Sequence, residues 1–380
     1  MKEKTMKILH IAPQPPSIDS GGGLGVYQTI KSLALNQYSV DYVGVPIKNV
    51  SICKLYEKLY YIEANHNVFI RFFDVLRGIT NSRYRSWVDL KLNIDDYDIV
   101  VLDFTKLDYI IEKIGKTPLI VKVHNVEYDY SRVDYLNDKN LIKKILSKLS
   151  YNQEKRLLDR ANKILALTHQ DISRLEYLYK PTKKKFSING VCVEDHAFQH
   201  SYEKVKLLIT GSLWFMSNVK GIMWFINNVY TKLSEEGKLQ LVIAGRQPRD
   251  ELKALCKKYK SIYLIDSPDD MNSIFSEANL AVAPIFEGAG MKIKVAEALS
   301  HGLPVIGTNH AFIGYSDESN DCLVPANNSE DFIRVIREFM MISEKEFMQR
   351  SEKAHMLFLN NYSMTVSALQ WKNAIESVKA

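Results

Sequence analysis

Short apolar runs recur along the whole chain, and many are followed by glycine or polar residues. Runs of about four to eight valine, isoleucine and leucine residues are typical of buried parallel strands. The alternation of such runs with helical segments predicts an α/β protein with two successive parallel sheets. The predicted strands are Met6–Ala12, Ser39–Val45, Tyr97–Leu102, Leu119–Val123, Lys163–Thr168 and Phe186–Val191 in the first half, and Lys206–Thr210, Gln240–Ala244, Ile262–Ile265, Leu280–Ile285 and Val305–Gly307 in the second.

Apolar residues between these runs recur at spacings of three and four, which is typical of amphipathic helices. The pattern predicts a helix that begins at about Val26, a long helix over Lys139–Arg160, and several others. The other predicted helices are Asp171–Tyr179, Asn218–Leu233, Phe332–Met341, Glu344–Asn360 and Tyr362–Val378.

The helix predicted over Lys139–Arg160 combines an apolar stripe with many basic residues. We expect the stripe to pack on its own sheet and the basic face to lie in solvent. Its segment Lys143–Lys148 is the best candidate for contact with an anionic membrane surface. Arginine and aromatic residues at 67–78 and 82–87 fit a membrane interface and a core helix equally well.

A strand–turn–helix–strand unit is predicted between Leu280 and Gly307. Glycines in its turn let the backbone approach a ligand closely, and the free N–H groups at the start of the following helix favour a phosphate. Lys292 and Lys294 place positive charge in the first turn, where it opposes the helix dipole unless an anion is bound. A carboxylate further along the helix, Glu297, can accept hydrogen bonds from a ribose diol.

A second glycine-rich segment, Gly21–Gly25, precedes the first predicted helix, and we expect it to form a loop. It does not match the fingerprint of dinucleotide-binding proteins, because Gln28 stands where the third glycine belongs. No acidic residue ends the second strand either.

These segments resemble the donor-binding motifs of the family 4 glycosyltransferases, which have the GT-B fold. The family has two glutamates separated by seven residues, whereas Glu287 and Glu297 are separated by nine. Ser212 stands where many relatives have arginine, and Ile188 where they have proline. The segments that carry the resemblance are Gly21–Gly25, His124–Tyr128, Asn189–Val191, Gly211-Ser212 and Glu287–Thr308.

The resemblance implies an α/β protein with two Rossmann-like domains that face each other across a cleft. Residues 1–195 are expected to form an acceptor-binding domain, and residues 203–360 a nucleotide-sugar-binding domain. The last helix, at 362–380, is expected to cross back to the first domain, with Trp371 packed there.

The resemblance also implies a retaining hexosyltransferase that moves a sugar from a nucleoside diphosphate sugar, most often UDP-linked, to a hydroxyl group. In that family the histidine of the H-N-x-E segment faces the sugar, as the first glutamate does, so His124 and Glu287 are the expected catalytic residues. Lys292 or Lys294 is expected to hold the diphosphate together with Lys220, and Lys292 or Arg246 to replace the missing arginine. The expected donor-binding residues are Gly22, Gly23, Gly25, Ser212, Lys220, Arg246, Gly288, Ala289, Gly290, Met291, Lys292, Lys294 and Glu297.

Net charge is unevenly distributed along the chain. Residues 1–195 contain 30 Lys and Arg against 23 Asp and Glu, and the remainder contains 20 against 21. A basic first half favours an anionic surface or acceptor, such as a polyprenyl-phosphate-linked glycan. No nucleic-acid-binding motif accompanies the charge, so we expect no nucleic acid partner.

Four widely spaced cysteines without a C-x-x-C pair argue against a disulfide framework or a zinc site. Together with the lack of a signal peptide or an apolar stretch of membrane-spanning length, they predict a cytoplasmic protein that can bind the membrane periphery. No D-x-D motif ends a strand, so we expect neither a metal nor another cofactor.

Two alternatives remain open from the sequence. A nucleotide-sugar epimerase of the same fold would convert the donor without an acceptor. A GT-B-like partner subunit without catalysis would explain the changes at Ser212 and Glu287.

Overall fold

The computed structural model describes most of the chain, in two compact units. One unit comprises residues 1–190 with 367–380, and the other comprises residues 191–366. We call them the first and the second domain and describe each by itself. The structure describes residues 5–18, 21–62, 67, 69, 73–74, 90, 92–138, 140–180, 185–196, 200, 202, 205–234, 239–288, 290–316 and 321–379.

The first domain contains a seven-stranded sheet in which every strand pairs parallel to its neighbours. The strand order is β3-β2-β1-β4-β5-β6-β7, so β2 and β3 follow on one side of β1 and β4 to β7 on the other. In open sheets of this kind, ligands bind beyond the carboxyl ends of the strands near the point where the order changes sides. The strands are β1 (Lys7–Ala12), β2 (Ser39–Gly44), β3 (Lys58–Tyr61), β4 (Ile99–Asp103), β5 (Leu119–Val123), β6 (Lys163–Ala166) and β7 (Phe186–Ile188).

Helices cover this sheet, and buried aliphatic residues from strands and helices form its core. Short 3₁₀ turns occur at Ile94–Asp96 and Asp108–Ile110. The helices are α1 (Gly21–Leu35), α2 (Val50–Cys53), α3 (Ile111–Ile114), α4 (Glu127–Asp138), α5 (Leu141–Arg160) and α6 (His169–Tyr179).

The second domain repeats the design with a six-stranded parallel sheet in the order β10-β9-β8-β11-β12-β13. Its strands are β8 (Val205–Thr210), β9 (Leu239–Gly245), β10 (Ile262–Asp266), β11 (Leu280–Ala283), β12 (Val305–Gly307) and β13 (Leu323–Pro325). Its helices are α7 (Met216–Phe225), which continues through a π-helical turn at Ile226–Tyr230 into α8 (Thr231–Ser234), then α9 (Asp250–Cys256), α10 (Met271–Glu277), α11 (Ile293–Ser300), α12 (Ser329–Met340) and α13 (Glu344–Asn361).

The last helix, α14 (Met364–Lys379), joins the core of the first domain through its residues from Ser367 onward. Ser367 accepts a hydrogen bond of 2.8 Å from the Ser32 hydroxyl, and Trp371 is fully buried in the same core as Val26 and Ile30. The expected packing of Trp371 is therefore confirmed.

Two expectations about helices are wrong. Gly21–Gly25 is not a loop, because these glycines form the first turn of α1. The start of α5 does not pack its apolar residues on the sheet: Leu141 and Ile142 are 69% and 64% exposed. The segments at 67–78 and 82–87 lie almost entirely outside the described residues.

No described helix has the length and apolar composition that crossing a bilayer requires. All four cysteines carry free thiols.

Candidate functional site

The carboxylate of Asp103, the last residue of strand β4, is fully buried and lies between two histidines, one in the neighbouring strand β1 and one directly after the neighbouring strand β5. Its Oδ1 atom lies 2.6 Å from Nε2 of His124, and its Oδ2 atom lies 2.6 Å from Nε2 of His10. The Thr29 hydroxyl of α1 donates a third hydrogen bond of 3.1 Å, and the Tyr56 hydroxyl lies 3.0 Å from Nδ1 of His10. We call these five residues the Asp103 cluster.

The carboxylate fixes the tautomer of both imidazoles. Because an ionised Asp103 only accepts hydrogen bonds, both histidines must donate from Nε2, and in a neutral imidazole Nδ1 is then the acceptor. Burial by itself raises the pKa of Asp103, but the hydrogen bonds that His10 and His124 donate outweigh it and hold the pKa well below its usual range. Burial lowers the pKa of His124 despite the opposing attraction of Asp103, which keeps this imidazole neutral.

The His124 ring is held tightly between Phe104 and helix α1. The two rings stack with their centroids 4.2 Å apart. A Cβ atom added to Gly25 would lie 2.5 Å from His124 Nδ1, so a larger residue does not fit there. The requirement for glycine at this position is therefore steric.

The other two predicted glycines of α1 have different surroundings. A Cβ atom on Gly22 would meet the Gln14 side chain at 2.3 Å, whereas Gly23 is buried and accepts a backbone hydrogen bond from Ser17.

Helix α4 begins three residues after His124, and a buried carboxylate of α5 holds its N-terminus. Glu154 accepts hydrogen bonds from the backbone N–H groups of Glu127 and Tyr128, at 3.1 and 3.2 Å, and from the hydroxyls of Thr105 and Tyr179. Glu127 itself forms an ion pair of 3.1 Å with Lys106. These contacts fix the loop that carries His124.

In the second domain, the turn after β11 is built on glycine and closed by a lysine. Gly288 and Gly290 have φ values of 108° and 71°, which L side chains rarely adopt. The Lys292 amine donates hydrogen bonds to the carbonyls of both glycines, at 2.8 and 2.6 Å, and His310 donates to that of Gly288. Lys292 therefore stabilises the turn, and Ala289 lies outside the described residues.

Lys294 lies in the first turn of α11, next to the loop that follows β8. Its amine donates a hydrogen bond of 3.1 Å to the side-chain oxygen of Asn218, and a Cβ atom on Gly211 would lie 2.7 Å from it. Burial lowers the pKa of Lys294 to about 8, with Glu297 opposing the shift and Lys292 adding to it. Burial raises the pKa of the Glu297 carboxyl, and Lys294 opposes that shift.

The loops after β8 and β9 meet at their glycines. A Cβ atom on Gly245 would lie 1.8 Å from the Gly211 carbonyl oxygen, and the Leu213 N–H donates to the Arg246 carbonyl at 2.9 Å. The carboxyl edge of this sheet therefore brings Gly211, Asn218 and Lys294 together. Four of the other predicted residues are exposed to solvent: Ser212, Lys220, Arg246 and Glu287. Met291, by contrast, is buried and accepts a hydrogen bond from the Val191 N–H.

Sequence reasoning missed Asp103, His10 and Asn218. Asp103 had a usable signal, since it is a polar residue at the carboxyl end of a buried strand, as His124 is. His10 lies within an apolar run and gives no such signal. Among the described residues, no cluster of His, Cys, Asp and Glu could hold a metal ion.

The second domain matches a known family. Residues 204–341 match the model of the family described as Glycosyl transferases group 1. An uncharacterized 44.6 kDa protein in the cps region of Klebsiella pneumoniae is 24% identical over 360 residues, which cover 85% of this chain and 87% of that protein.

Solved structures match over the whole chain. A glycosyltransferase from Rickettsia africae ESF-5 has a TM-score of 0.70 at 16% identity and covers 99% of both chains. WaaG, a glycosyltransferase involved in lipopolysaccharide biosynthesis, has a TM-score of 0.66 at 17% identity, over 97% of this chain and 98% of its own. Anabaena HepE in complex with UDP and glucose has a TM-score of 0.65 at 10% identity, over 98% and 99%. The expected GT-B fold is confirmed.

Proposed function

We propose that this chain, which has the GT-B fold and whose second domain matches the glycosyl transferases group 1, moves a sugar from a UDP-sugar to a hydroxyl group of a lipid-linked glycan during surface polysaccharide synthesis. The observation that carries the proposal is the arrangement at the start of α11, where Lys294 lies beside Gly211 and Asn218. HepE, a protein of the same fold, is seen with UDP and glucose. WaaG, named for lipopolysaccharide biosynthesis, supports the proposed kind of product.

In the proposed donor complex, the Lys294 amine and the backbone N–H groups of Ile293 and Lys294, at the start of α11, bind the diphosphate. A helix N-terminus and a cation together stabilise the negative charge that develops on a departing phosphate. Glu297 accepts hydrogen bonds from the ribose hydroxyls, which replace the water that its carboxylate loses on burial. Lys292 acts indirectly, because its amine holds the carbonyls of the glycine turn.

The proposed reaction retains the anomeric configuration. The bond between the anomeric carbon and the β-phosphate oxygen breaks, and the acceptor oxygen bonds to that carbon on the same face. The acceptor's proton passes to the departing phosphate, so the products are a glycoside and UDP. His124 contacts the sugar in this proposal and needs no change of protonation, because burial keeps its imidazole neutral and the hydrogen bond to Asp103 leaves Nδ1 as its acceptor atom.

The ribose role of Glu297 can be tested with two ligands, UDP and 2′-deoxy-UDP. Wild-type protein should bind UDP more tightly, by roughly tenfold, since a hydrogen bond to a charged group contributes about 1.5 to 3 kcal/mol. Glu297→Ala should bind both ligands equally weakly in a calorimetric titration. Unchanged UDP affinity in Glu297→Ala would refute the role.

The reaction class is tested by incubating the protein with UDP-, GDP- and TDP-sugars, with and without a polyprenyl-phosphate-linked acceptor. Transfer with a retained anomeric configuration, identified by NMR, is the expected outcome. Conversion of the donor in the absence of acceptor would favour an epimerase instead, and binding of none of the nucleotides a partner subunit.

A further inference from the structure

An open groove lies between helices α4 and α5 of the first domain, away from the Asp103 cluster. Its volume is about 560 Å³. Sites for small molecules are typically clefts of about 300 to 1,000 Å³ with apolar and aromatic walls and a few polar groups. The residues that line the α4–α5 groove are Tyr128, Arg132, Tyr135, Leu141, Lys144, Ile145, Ser147, Lys148 and Tyr151.

The outer end of the groove exposes large apolar side chains. In the lining, Leu141 and Ile145 are 69% and 48% exposed, and Leu136 and Ile142, which lie outside the lining but next to it in sequence, are 52% and 64% exposed. Exposed apolar groups that cluster at the tip of a helix pair contribute nothing to the core, and contiguous patches of this kind mark binding surfaces. This end of the groove therefore suits an alkyl chain.

The lining carries positive charge beside these apolar groups. Arg132, Lys144 and Lys148 line the groove, and no carboxylate belongs to its described lining. Lys144 lies in the first turn of α5, where its charge opposes the helix dipole and so does not stabilise the helix, and Lys148 lies one turn further on. The positive dipole end and the lysines instead add to one another, and together they favour an anion.

The lining of the groove includes Tyr128, which follows His124 by four residues in the chain. Tyr128, in the first turn of α4, stacks edge to face against Tyr151 of α5, with ring centroids 5.3 Å apart. The N–H group of Tyr128 is also held by Glu154. One rigid frame thus connects the groove to the predicted catalytic histidine, which favours an occupant that takes part in the reaction.

We propose that the α4–α5 groove binds a long-chain lipid phosphate, the carrier on which the acceptor sugar is built. The phosphate lies against Arg132, Lys144 and Lys148, and the alkyl chain passes over Ile145 and Leu141 into the bilayer. The proposal rests on the proposed function only for the acceptor's role. Binding of the lipid phosphate itself is independent of it.

The test measures sedimentation of the protein with three kinds of vesicle. These contain phosphatidylcholine alone, phosphatidylcholine with polyprenyl phosphate, or phosphatidylcholine with phosphatidylglycerol at matched charge. Wild-type protein should bind the polyprenyl phosphate vesicles most tightly. Lys144→Gln/Lys148→Gln should weaken this binding roughly 30-fold, since each lysine near an anionic surface contributes about 1 kcal/mol. Leu141→Ser/Ile145→Ser should also weaken it, through the alkyl chain.

A groove on helix α12 provides a matched control. It has a volume of about 440 Å³ and is lined by Glu330, Ile333, Arg334, Arg337, Glu338 and Met341, so its positive charges lie beside carboxylates. Arg334→Gln/Arg337→Gln should leave vesicle binding unchanged.

Two results would overturn the proposal. One is equal binding to phosphatidylglycerol and polyprenyl phosphate vesicles, which indicates a general anionic surface. The other is unchanged binding by both groove variants. UDP titrations on the same samples report the proposed function separately, because the groove variants should bind UDP as wild type does.

Discussion

The two domains treat buried charge in opposite ways. In the first, Asp103 lies between two imidazoles that stabilise its negative charge, and its pKa is held well below the usual range. In the second, burial shifts the pKa values of Lys294 and Glu297 toward their neutral forms. Protein groups complete the first arrangement, whereas a ligand with phosphates and hydroxyls would complete the second. We therefore interpret the Asp103 cluster as a preorganised support, and Lys294 with Glu297 as the candidate binding site.

The largest expected effect is the loss of the Asp103 charge. Asp103→Asn should lower the free energy of unfolding by about 3 to 5 kcal/mol, because the two imidazoles lose their hydrogen bonds to a charged carboxylate, each of which contributes about 1.5 to 3 kcal/mol. The folded pKa of Asp103 lies below the usual 3.8. Its stabilisation is therefore present above about pH 4 and is lost as the pH falls through the folded pKa. Urea denaturation between about pH 3 and 7 should show a weaker acid-side slope in the variant, because this range includes the unperturbed Asp pKa of about 4.

An exposed carboxylate is the control for this prediction. Asp159 pairs with Lys155 on the surface of α5. Asp159→Asn should change stability by less than about 1 kcal/mol. Equal effects at the two positions would show that the Asp103 cluster contributes no more than a surface pair.

Lys294→Met should reduce UDP affinity and leave stability unaffected or increased, the opposite of Asp103→Asn. UDP affinity should fall roughly 10- to 100-fold, because a charged hydrogen bond contributes about 1.5 to 3 kcal/mol, while stability at pH 7 should stay equal or rise. In the proposed complex it is the protonated amine that binds the diphosphate, so wild-type affinity should decrease as the pH rises through about 8, the pKa of Lys294. Calorimetric titrations across this range should show no such decrease in Lys294→Met.

The matched control for that variant is Lys253→Met, which removes an exposed lysine from α9. It should leave both UDP affinity and its pH dependence as in wild type. A Lys294→Met protein that binds UDP normally would remove the lysine from the donor site.

The smallest effect is expected at the glycines of α1. Gly25→Ala places a Cβ against the His124 ring, which Phe104 and Asp103 prevent from moving, so it should cost about 1 to 3 kcal/mol of stability and reduce turnover. Gly21→Ala meets nothing within 4 Å and should be neutral or slightly stabilising. Thermal melts and turnover of both variants check the difference. Equal behaviour would mean that His124 tolerates displacement.

The sequence predicted most of the sheet strands because their apolar runs are long and buried on both faces. It missed β3 and β13, which are short strands at sheet edges, β3 being partly exposed and β13 having only one fully buried residue. It also missed α4, whose sequence EYDYSRVDYLND has little apolar periodicity. The Glu154 carboxylate that holds its first turn is 27 residues further along the chain, so no local pattern reveals it.

The candidate site shows the same limit. Glycines and lysines next to strand ends could be recognised, because their positions along the chain already carry the signal. The distinction between Lys292, which ties its own turn together, and Lys294, which approaches Gly211, depends on where each side chain turns. The hydrogen bond between His10 and Asp103, which are 93 residues apart, depends on the order of the strands in the sheet.

The hydrogen-bonded path from His124 through Asp103 and His10 ends at Tyr56, whose pKa burial raises well above its usual value. Because Tyr56 keeps its own proton, a proton that reached His124 would not be passed on along this path. The path therefore orients the His124 imidazole but does not relay protons. In the proposed reaction, the acceptor's proton therefore passes to the departing diphosphate and not to this path.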